Sequence, residues 1–277
     1  MKNMGMLSQI LLLSLVNVVY AGDAYKIQYN FKKGTAHRYQ ITSSSESVQE
    51  IMGSEQISES ESKAQITVSA VGVDDNRNFN ITVVYDALEV DVFATGMDST
   101  FKNPPGIVGK RVKKVIKPDG DQLESTELDS FGVLQFAPMF TSDREILPNL
   151  PNVELKMNEA VTATDVDSTN AFGGQVITNS KSEYTLHGKE DMAGYECLKI
   201  SYKSTVTLTG SGSRFGADFS IEGDGGSTGV MFFAHKQGIL VSTESTTDME
   251  ITVAITGPQN MTIPISQTSE STFKLIQ

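Results

Sequence analysis

Apolar and polar residues alternate one for one along most of the chain. Tyr25, Ile27, Tyr29 and Phe31 fall on one face of an extended segment, with Lys26, Gln28 and Asn30 on the other. Met249, Ile251, Val253 and Ile255 repeat the pattern, and Leu198, Ile200, Tyr202, Val206 and Leu208 keep one parity. A period of two marks a half-buried strand, and its recurrence predicts an all-β fold of mainly antiparallel strands. The phase changes between Ile81-Val83-Tyr85 and Leu88-Val90-Val92, which predicts a bulge near Asp86. From Thr42 to Lys63 both faces carry mostly Ser, Glu and Gln, so these arms extend past the core. Long, bent antiparallel strands imply a strongly curved sheet, a half-barrel or open barrel.

Turn chemistry sets the expected registers. Asp119-Gly120 as a two-residue type I′ loop pairs Ile116 with Leu123 and Lys117 with Gln122. Gly53-Ser54 as a type II′ loop sets Tyr39 opposite Val68 and Ile41 opposite Ile66. Further turns are expected at Gly210 to Ser213, Gly223 to Gly229, His235 to Gly238 and Gly257-Pro258.

One segment departs from the alternation. Asp129-Ser130 forms a helix-cap pattern ahead of Phe131, Val133, Leu134, Phe136 and Ala137, with Pro138 disturbing the helix and Met139-Phe140 following. Apolar residues cover nearly its whole circumference, so it is expected to be a short helix that is buried or plugged into the sheet. Leu147-Pro148-Asn149-Leu150-Pro151 then reads as an extended connector. It divides one large β domain, residues 22–277, into two groups of strands, 22–146 and 152–277.

The start of the chain changes the compartment. Lys2 gives a basic start, Ile10 to Val16 an apolar run broken by Ser14, and Val19 and Ala21 are the small residues of a cleavage site, so residues 1–21 read as a signal peptide. Ser8, Gln9, Ser14 and Asn17 leave too few apolar residues for a bilayer span of about twenty. The expectation is an exported chain, periplasmic or extracellular. A net charge of −12 disfavours nucleic acid and anionic membrane surfaces. The stretch with basic bias, Lys110-Arg111-Val112-Lys113-Lys114 with Lys117, reads as the solvated side of a strand. A single cysteine, Cys197, excludes an intrachain disulfide and reads as a buried thiol.

No catalytic motif survives its context. Gly225-Gly226-Ser227-Thr228-Gly229 matches G-x-S-x-G, but it precedes a further strand, Val230-Met231-Phe232-Phe233, rather than a helix. Two S-x-x-K matches, Ser60 to Lys63 and Ser271 to Lys274, lack the companion K-T-G. His37, His187 and His235 form no H-x-x-x-H pair, and His235 falls in a turn where a solvated position is expected. Asp74-Asp75, Asp119-Gly120-Asp121, Asp165-Val166-Asp167 and Glu222-Gly223-Asp224 lack the calcium-loop spacing and read as hairpin tips. No metal or cofactor is called for. A membrane-spanning barrel is disfavoured by the absence of Trp and by the hydrophilic arms.

Phe31-Lys32-Lys33-Gly34 with Tyr39, the Leu147-Pro148 connector, and Tyr184-Thr185-Leu186-His187-Gly188 leading to Gly194-Tyr195-Glu196-Cys197 resemble uncharacterised exported β proteins of bacteria. The overall shape is similar to periplasmic half-barrel lipoprotein carriers. That resemblance implies a curved sheet holding acyl chains under a helical lid. The resulting expectation is a non-enzymatic binding or carrier protein for a lipid or other apolar small molecule, with Phe131, Leu134, Phe136, Met139 and Phe140 against the ligand. The alternative is a structural or protein-interaction module of the envelope with a filled core, and convergence of a histidine on a serine and a carboxylate would instead point to a hydrolase.

Overall fold

The computed structural model describes residues 23–94, 97–131, 146–171, 174–214, 217–257 and 260–276. Within them the chain forms β1 (Ala24–Lys26), β2 (Ala36–Ile51), β3 (Ser54–Val73), β4 (Phe79–Ala94), β5 (Met97–Lys102), β6 (Arg111–Ile116) and β7 (Gln122–Glu127). After the connector come β8 (Glu154–Lys156), β9 (Ala160–Ala171), β10 (Gly174–Met192), β11 (Tyr195–Arg214), β12 (Ala217–Ala234), β13 (Ile239–Thr256) and β14 (Met261–Leu275). The all-β expectation holds, and no helix occurs among the described residues.

Two antiparallel meanders share one sheet. Its order is β7-β6-β4-β3-β2-β14-β13-β12-β11-β10-β9, with β5 pairing the far half of β4 and β1-β8 forming a separate two-stranded ribbon. The meanders meet where β2 pairs with β14, Tyr39 opposite Leu275 and Gln49 opposite Ile265. The outermost strands, β7 and β9, do not pair with each other, so the sheet stays open. The β6–β7 turn nevertheless lines one groove together with β9 and β10, which makes the core side the inside of the curve.

Only the lower part of the sheet carries a packed core. Tyr39, Ile66, Val68, Ile81, Leu186, Leu198, Ile200 and Phe233 point into it from the sheet. Ile27, Tyr29 and Phe31 close it from the N-terminal segment, and Leu147, Leu150 and Leu155 from the connector and β8. The alternation read at Tyr25 to Phe31 is therefore real, although only its first residues belong to a ladder. Tyr29 N donates to Pro118 O at 2.7 Å, Asn30 N to Gly238 O at 2.9 Å, and Tyr29 Oη to Pro148 O at 2.8 Å. This ties the N-terminal segment to three separate loops. No residue from Thr42 to Lys63 joins the core, as the two-sided polar pattern requires.

Registers were only partly legible. The bulge falls where expected, with Asp86 the extra residue between Tyr85, opposite Ile66, and Ala87, opposite Gln65. At the β2–β3 hairpin the loop is Met52-Gly53, both with positive φ, so the turn is type I′ and the pairing is shifted by two: Tyr39 faces Ile66 and Ile41 faces Ala64. At β6–β7 the two-residue loop is also corrected. Pro118 occupies the first loop position, Gly120 N donates to Lys117 O at 3.0 Å, and Lys117 N donates to Asp121 O at 2.8 Å. Of the pair Asp119-Gly120, Gly120 alone has positive φ, +99°, so the loop has three residues and ends on a left-handed glycine. Ile116 consequently pairs with Gln122, not Leu123.

Several expected turns are strand interior instead. Gly210 to Ser213 runs inside β11 and Gly223 to Gly229 inside β12, while His235 to Gly238 is a turn as expected. Pro258 lies outside the described residues. The in-strand glycines make room for large neighbours: a Cβ on Gly229 would meet the Tyr202 ring at 2.5 Å, and one on Gly225 the Met249 sulfur at 2.6 Å. Asp165-Val166-Asp167 and Glu222-Gly223-Asp224 also lie within strands rather than at tips. Lys114 corrects the solvated reading of the basic stretch. It sits on the face of Val112 and Ile116, buried, with Nζ donating to Gln122 Oε1 and Ser125 Oγ, whereas Arg111 and Lys113 are exposed.

The core contains one polar atom with no partner among the described residues, the hydroxyl of fully buried Tyr39. Burial, reinforced by Tyr195, raises its pKa, so it stays protonated. Tyr39→Phe is expected to raise stability by about 1–2 kcal/mol in urea unfolding, because it removes a desolvated group while keeping the ring tilted against Phe273 at 4.5 Å. An unchanged or lowered midpoint would show that the hydroxyl is satisfied.

Candidate functional site: the inner face of the open sheet

Strand register sorts the inner face into rows. Lowest is the core row, Leu186-Ile200-Met231-Thr243-Phe273-Ile41-Ala64-Leu88. Above it the small hydroxyl residues take over: Ser182, Ser204, Ser227, Thr247, Ser269, Ser45 and Ser60 stand in one continuous row across seven strands. Neighbours satisfy one another, with Ser182 Oγ 2.7 Å from Ser204 Oγ, Thr247 Oγ1 donating to Ser227 Oγ at 3.0 Å, and Ser45 Oγ 2.9 Å from Ser60 Oγ. Ser227 is thus a link in this belt, and no histidine is hydrogen-bonded to it.

Beyond the belt the inner face becomes apolar again on β10 to β14. Val176, Ile221, Val253 and Ile263 form one row around Gly210, and Leu208, Ile251 and Ile265 form the row below around Gly223. Phe219, Ile255 and Met261 complete the stripe at the far end. Among the described strands these contact their sheet neighbours, β10 also contacts β8, and β11 approaches β13. Val176 and Ile221 are buried, and the other stripe residues are half-buried. The alternation at Met249 to Ile255 was legible in the sequence. What was missed is that it lies past the core, a fact that only the register with β12 and β14 reveals.

Of the sequence-designated ligand residues, Phe131 packs against the core beside the end of β7. Leu134, Phe136, Met139 and Phe140 lie outside the described residues. Asp129, expected as a helix cap, accepts instead from the backbone N of Arg111 at 3.0 Å and from its guanidinium at two points, 2.9 Å each. The guanidinium holds the Asp129 carboxyl at a pKa of about 2, so this clamp on the chain leaving β7 persists in all but strong acid.

The opposite, outer face is acidic. Glu46 stands directly across from Glu59, Glu50 from Glu55, Glu61 from Asp91 and Asp224 from Glu250. Like charges placed this way oppose pairing. Two grooves of about 340 and 430 Å³ on this face are lined by Glu46, Glu59, Glu61, Glu89, Asp91 and Glu270 and offer nothing to an apolar ligand. Among the described residues no His, Cys, Asp and Glu group has the grouping of a metal site.

The histidines lie in separate neighbourhoods. His187, the extra residue of a β10 bulge, has Nε2 2.7 Å from Ser201 Oγ, and among the described residues no hydrogen bond joins this exposed pair to a carboxylate. His37 packs beside Phe31 and Tyr39. His235 is not simply solvated: its ring meets Tyr25 edge-on at 5.4 Å and its Nδ1 is buried with no hydrogen-bond partner among the described residues. Cys197 is buried, and burial pushes its thiol up.

Burial lowers the pKa of both His37 and His235, for His235 with help from Lys189 and Lys236 against Glu196. The folded state therefore favours neutral rings, whereas the unfolded chain takes up protons near the ordinary value of about 6.5. Their contribution is present above that pH and is lost as pH falls through it towards the lowered folded values. Urea midpoints are expected to drop from neutral to mildly acidic pH, and His37→Gln with His235→Gln to flatten that slope. A double variant with the parental slope would exclude these rings as the cause.

No family model and no curated protein matches the chain. Among solved structures it is similar to OccK2 (OpdF) of Pseudomonas aeruginosa, at 6% identity over 87% of this chain and 98% of that one, with a TM-score of 0.26. It is likewise similar to OccK5 (OpdH) of the same organism, at 7% identity, the same coverage and a TM-score of 0.27. The likeness is confined to all-β architecture.

Proposed function

We propose that the protein is an exported, non-enzymatic binding protein of a bacterial envelope that accepts an apolar ligand along the inner face of its open sheet. The observation that carries this reading is the apolar stripe beyond the hydroxyl belt. Ile251, Val253, Ile255, Ile263 and Ile265 are held on long strands that no other described strand covers. These side chains are half-buried, so an apolar partner that completed their burial would gain part of the roughly 1.5–3 kcal/mol that full burial of each is worth. Export rests on the pattern of residues 1–21.

The filled base favours a second reading, a structural or protein-interaction module. Tyr29, Tyr39 and Phe233 leave the lower core closed by stacked and edge-on rings. A fluorescent long-chain fatty acid separates the two. Saturable binding by the parent protein, lost in Ile251→Asp with the melting temperature little changed, supports the carrier. No saturable binding rules it out and leaves the structural module.

A further inference from the structure

β9 ends the sheet, and its outer side is open. It pairs with β10 without a register break from Ala160 to Ala171, and among the described residues its other side makes no backbone hydrogen bond. The one amide otherwise engaged is that of Ser168, which donates to the Asp167 carboxylate at 2.7 Å. Exposed strand edges recruit further strands, and chains blunt them with Lys, Pro, bulges or inward-pointing charges. Over its twelve residues β9 has no Lys, Pro or bulge, and its inward charges, Asp165 and Asp167, turn away strands that do not carry matching cations.

Its charge selects the partner. Asp165 and Asp167, two residues apart, share the inner face of β9, and Asp165 lines a groove of about 470 Å³ with Asp119, Asp121 and Lys117 of the β6–β7 turn. Lys117 is already engaged by Asp121. A second copy is a poor match, because antiparallel β9–β9 pairing centred on Val166 sets Asp165 opposite the copy's Asp167, and the whole chain carries −12. An extended strand with cations two residues apart meets both aspartates.

We infer that the outer edge of β9 is a strand-addition site for an extended segment of another protein bearing Lys or Arg at alternate positions. Backbone pairing along β9 supplies the affinity and the two aspartates select the sequence. This surface is separate from the apolar stripe, so it stands or falls independently of the ligand reading.

The test uses the full chain and two short valine- and threonine-rich peptides that differ only in Lys or Glu at two alternate positions. The lysine peptide is expected to bind saturably by fluorescence anisotropy, about tenfold more tightly than the glutamate peptide at low salt. Asp165→Asn with Asp167→Asn should erase that preference while leaving the melting temperature in place. Hydrogen exchange should slow over Ala160–Ala171 only when the lysine peptide is added. Equal binding of both peptides, no binding of either, protection elsewhere, or a dimer that protects β9 without peptide would each overturn the proposal.

Discussion

Phe233→Ala is expected to lower the free energy of unfolding by about 3–5 kcal/mol, the range for deleting a fully buried aromatic side chain. Phe233 has 0% exposure and meets the Tyr29 ring edge-on at 6.1 Å. It sits at the shift in the β12–β13 ladder, where Phe232 pairs with Ser242 and Phe233 with Leu240. The extra residue, Val241, is on β13, and the ordinary pleat of β12 sets the consecutive phenylalanines on opposite sides. Phe232 lies partly buried with Lys199 Nζ 5.7 Å from its ring centre, and Phe233 fills the base of the core. The comparison with Phe232→Ala is therefore informative: its loss should be closer to 1 kcal/mol, since much of that ring is already in water. Equal losses measured by urea unfolding would mean that the two faces of β12 do not divide the rings in this way.

Gly120→Val is expected to cost about 2–4 kcal/mol, the sum of left-handed backbone strain and overpacking. At φ +99° any L side chain is strained, and here the added carbon also meets Pro148 O at 2.9 Å and Tyr29 Cε2 at 3.0 Å. Those two atoms belong to residues joined by the Tyr29 hydroxyl bond to Pro148 O, and the neighbouring Leu150 N donates to Asp119 O. A side chain at Gly120 would thus push the connector away from the turn it holds. Gly34 supplies the control, with φ +84° and open space around its missing Cβ. Gly34→Val should show the strain alone. If both variants lost the same stability, the contact with the connector would carry no energy.

Parity was legible in this sequence and register was not, for a physical reason. Side chains on a strand repeat every two residues, so a slip of two leaves Tyr39 and Ile41 facing apolar partners either way; Ile66 and Ala64 fit as well as Val68 and Ile66. Pro118 was the missed signal at β6–β7, since proline at the first loop position favours a type I turn followed by a left-handed glycine over a two-residue loop. The glycines of β11 and β12 read as turns in the sequence because glycine alone announces backbone freedom. Their actual role, room for Tyr202, Met249 and Phe219, depends on which strand lies beside them. The candidate site followed the same divide. Phe131 stands out from its own segment alone, whereas the stripe at Ile251 and Ile263 and the open edge of β9 exist only once the strands from β9 to β14 are laid in order.

The β2–β14 seam has a consequence for how the chain reaches this structure. Its central ladder joins Tyr39 to Leu275, close to the two ends of the polypeptide, whereas the other ladders of the large sheet join strands near one another in sequence. Each meander can zip locally, but the sheet becomes continuous only after the last strand is available. Such distant pairing makes folding slow, on the order of milliseconds to seconds or longer. A nascent chain therefore stays incomplete until β14 has been made, the condition under which a polypeptide can still be threaded through a narrow channel. Removing Met261–Leu275 should leave two separate meanders with bare edges, detectable as aggregation at concentrations where the intact chain remains monomeric.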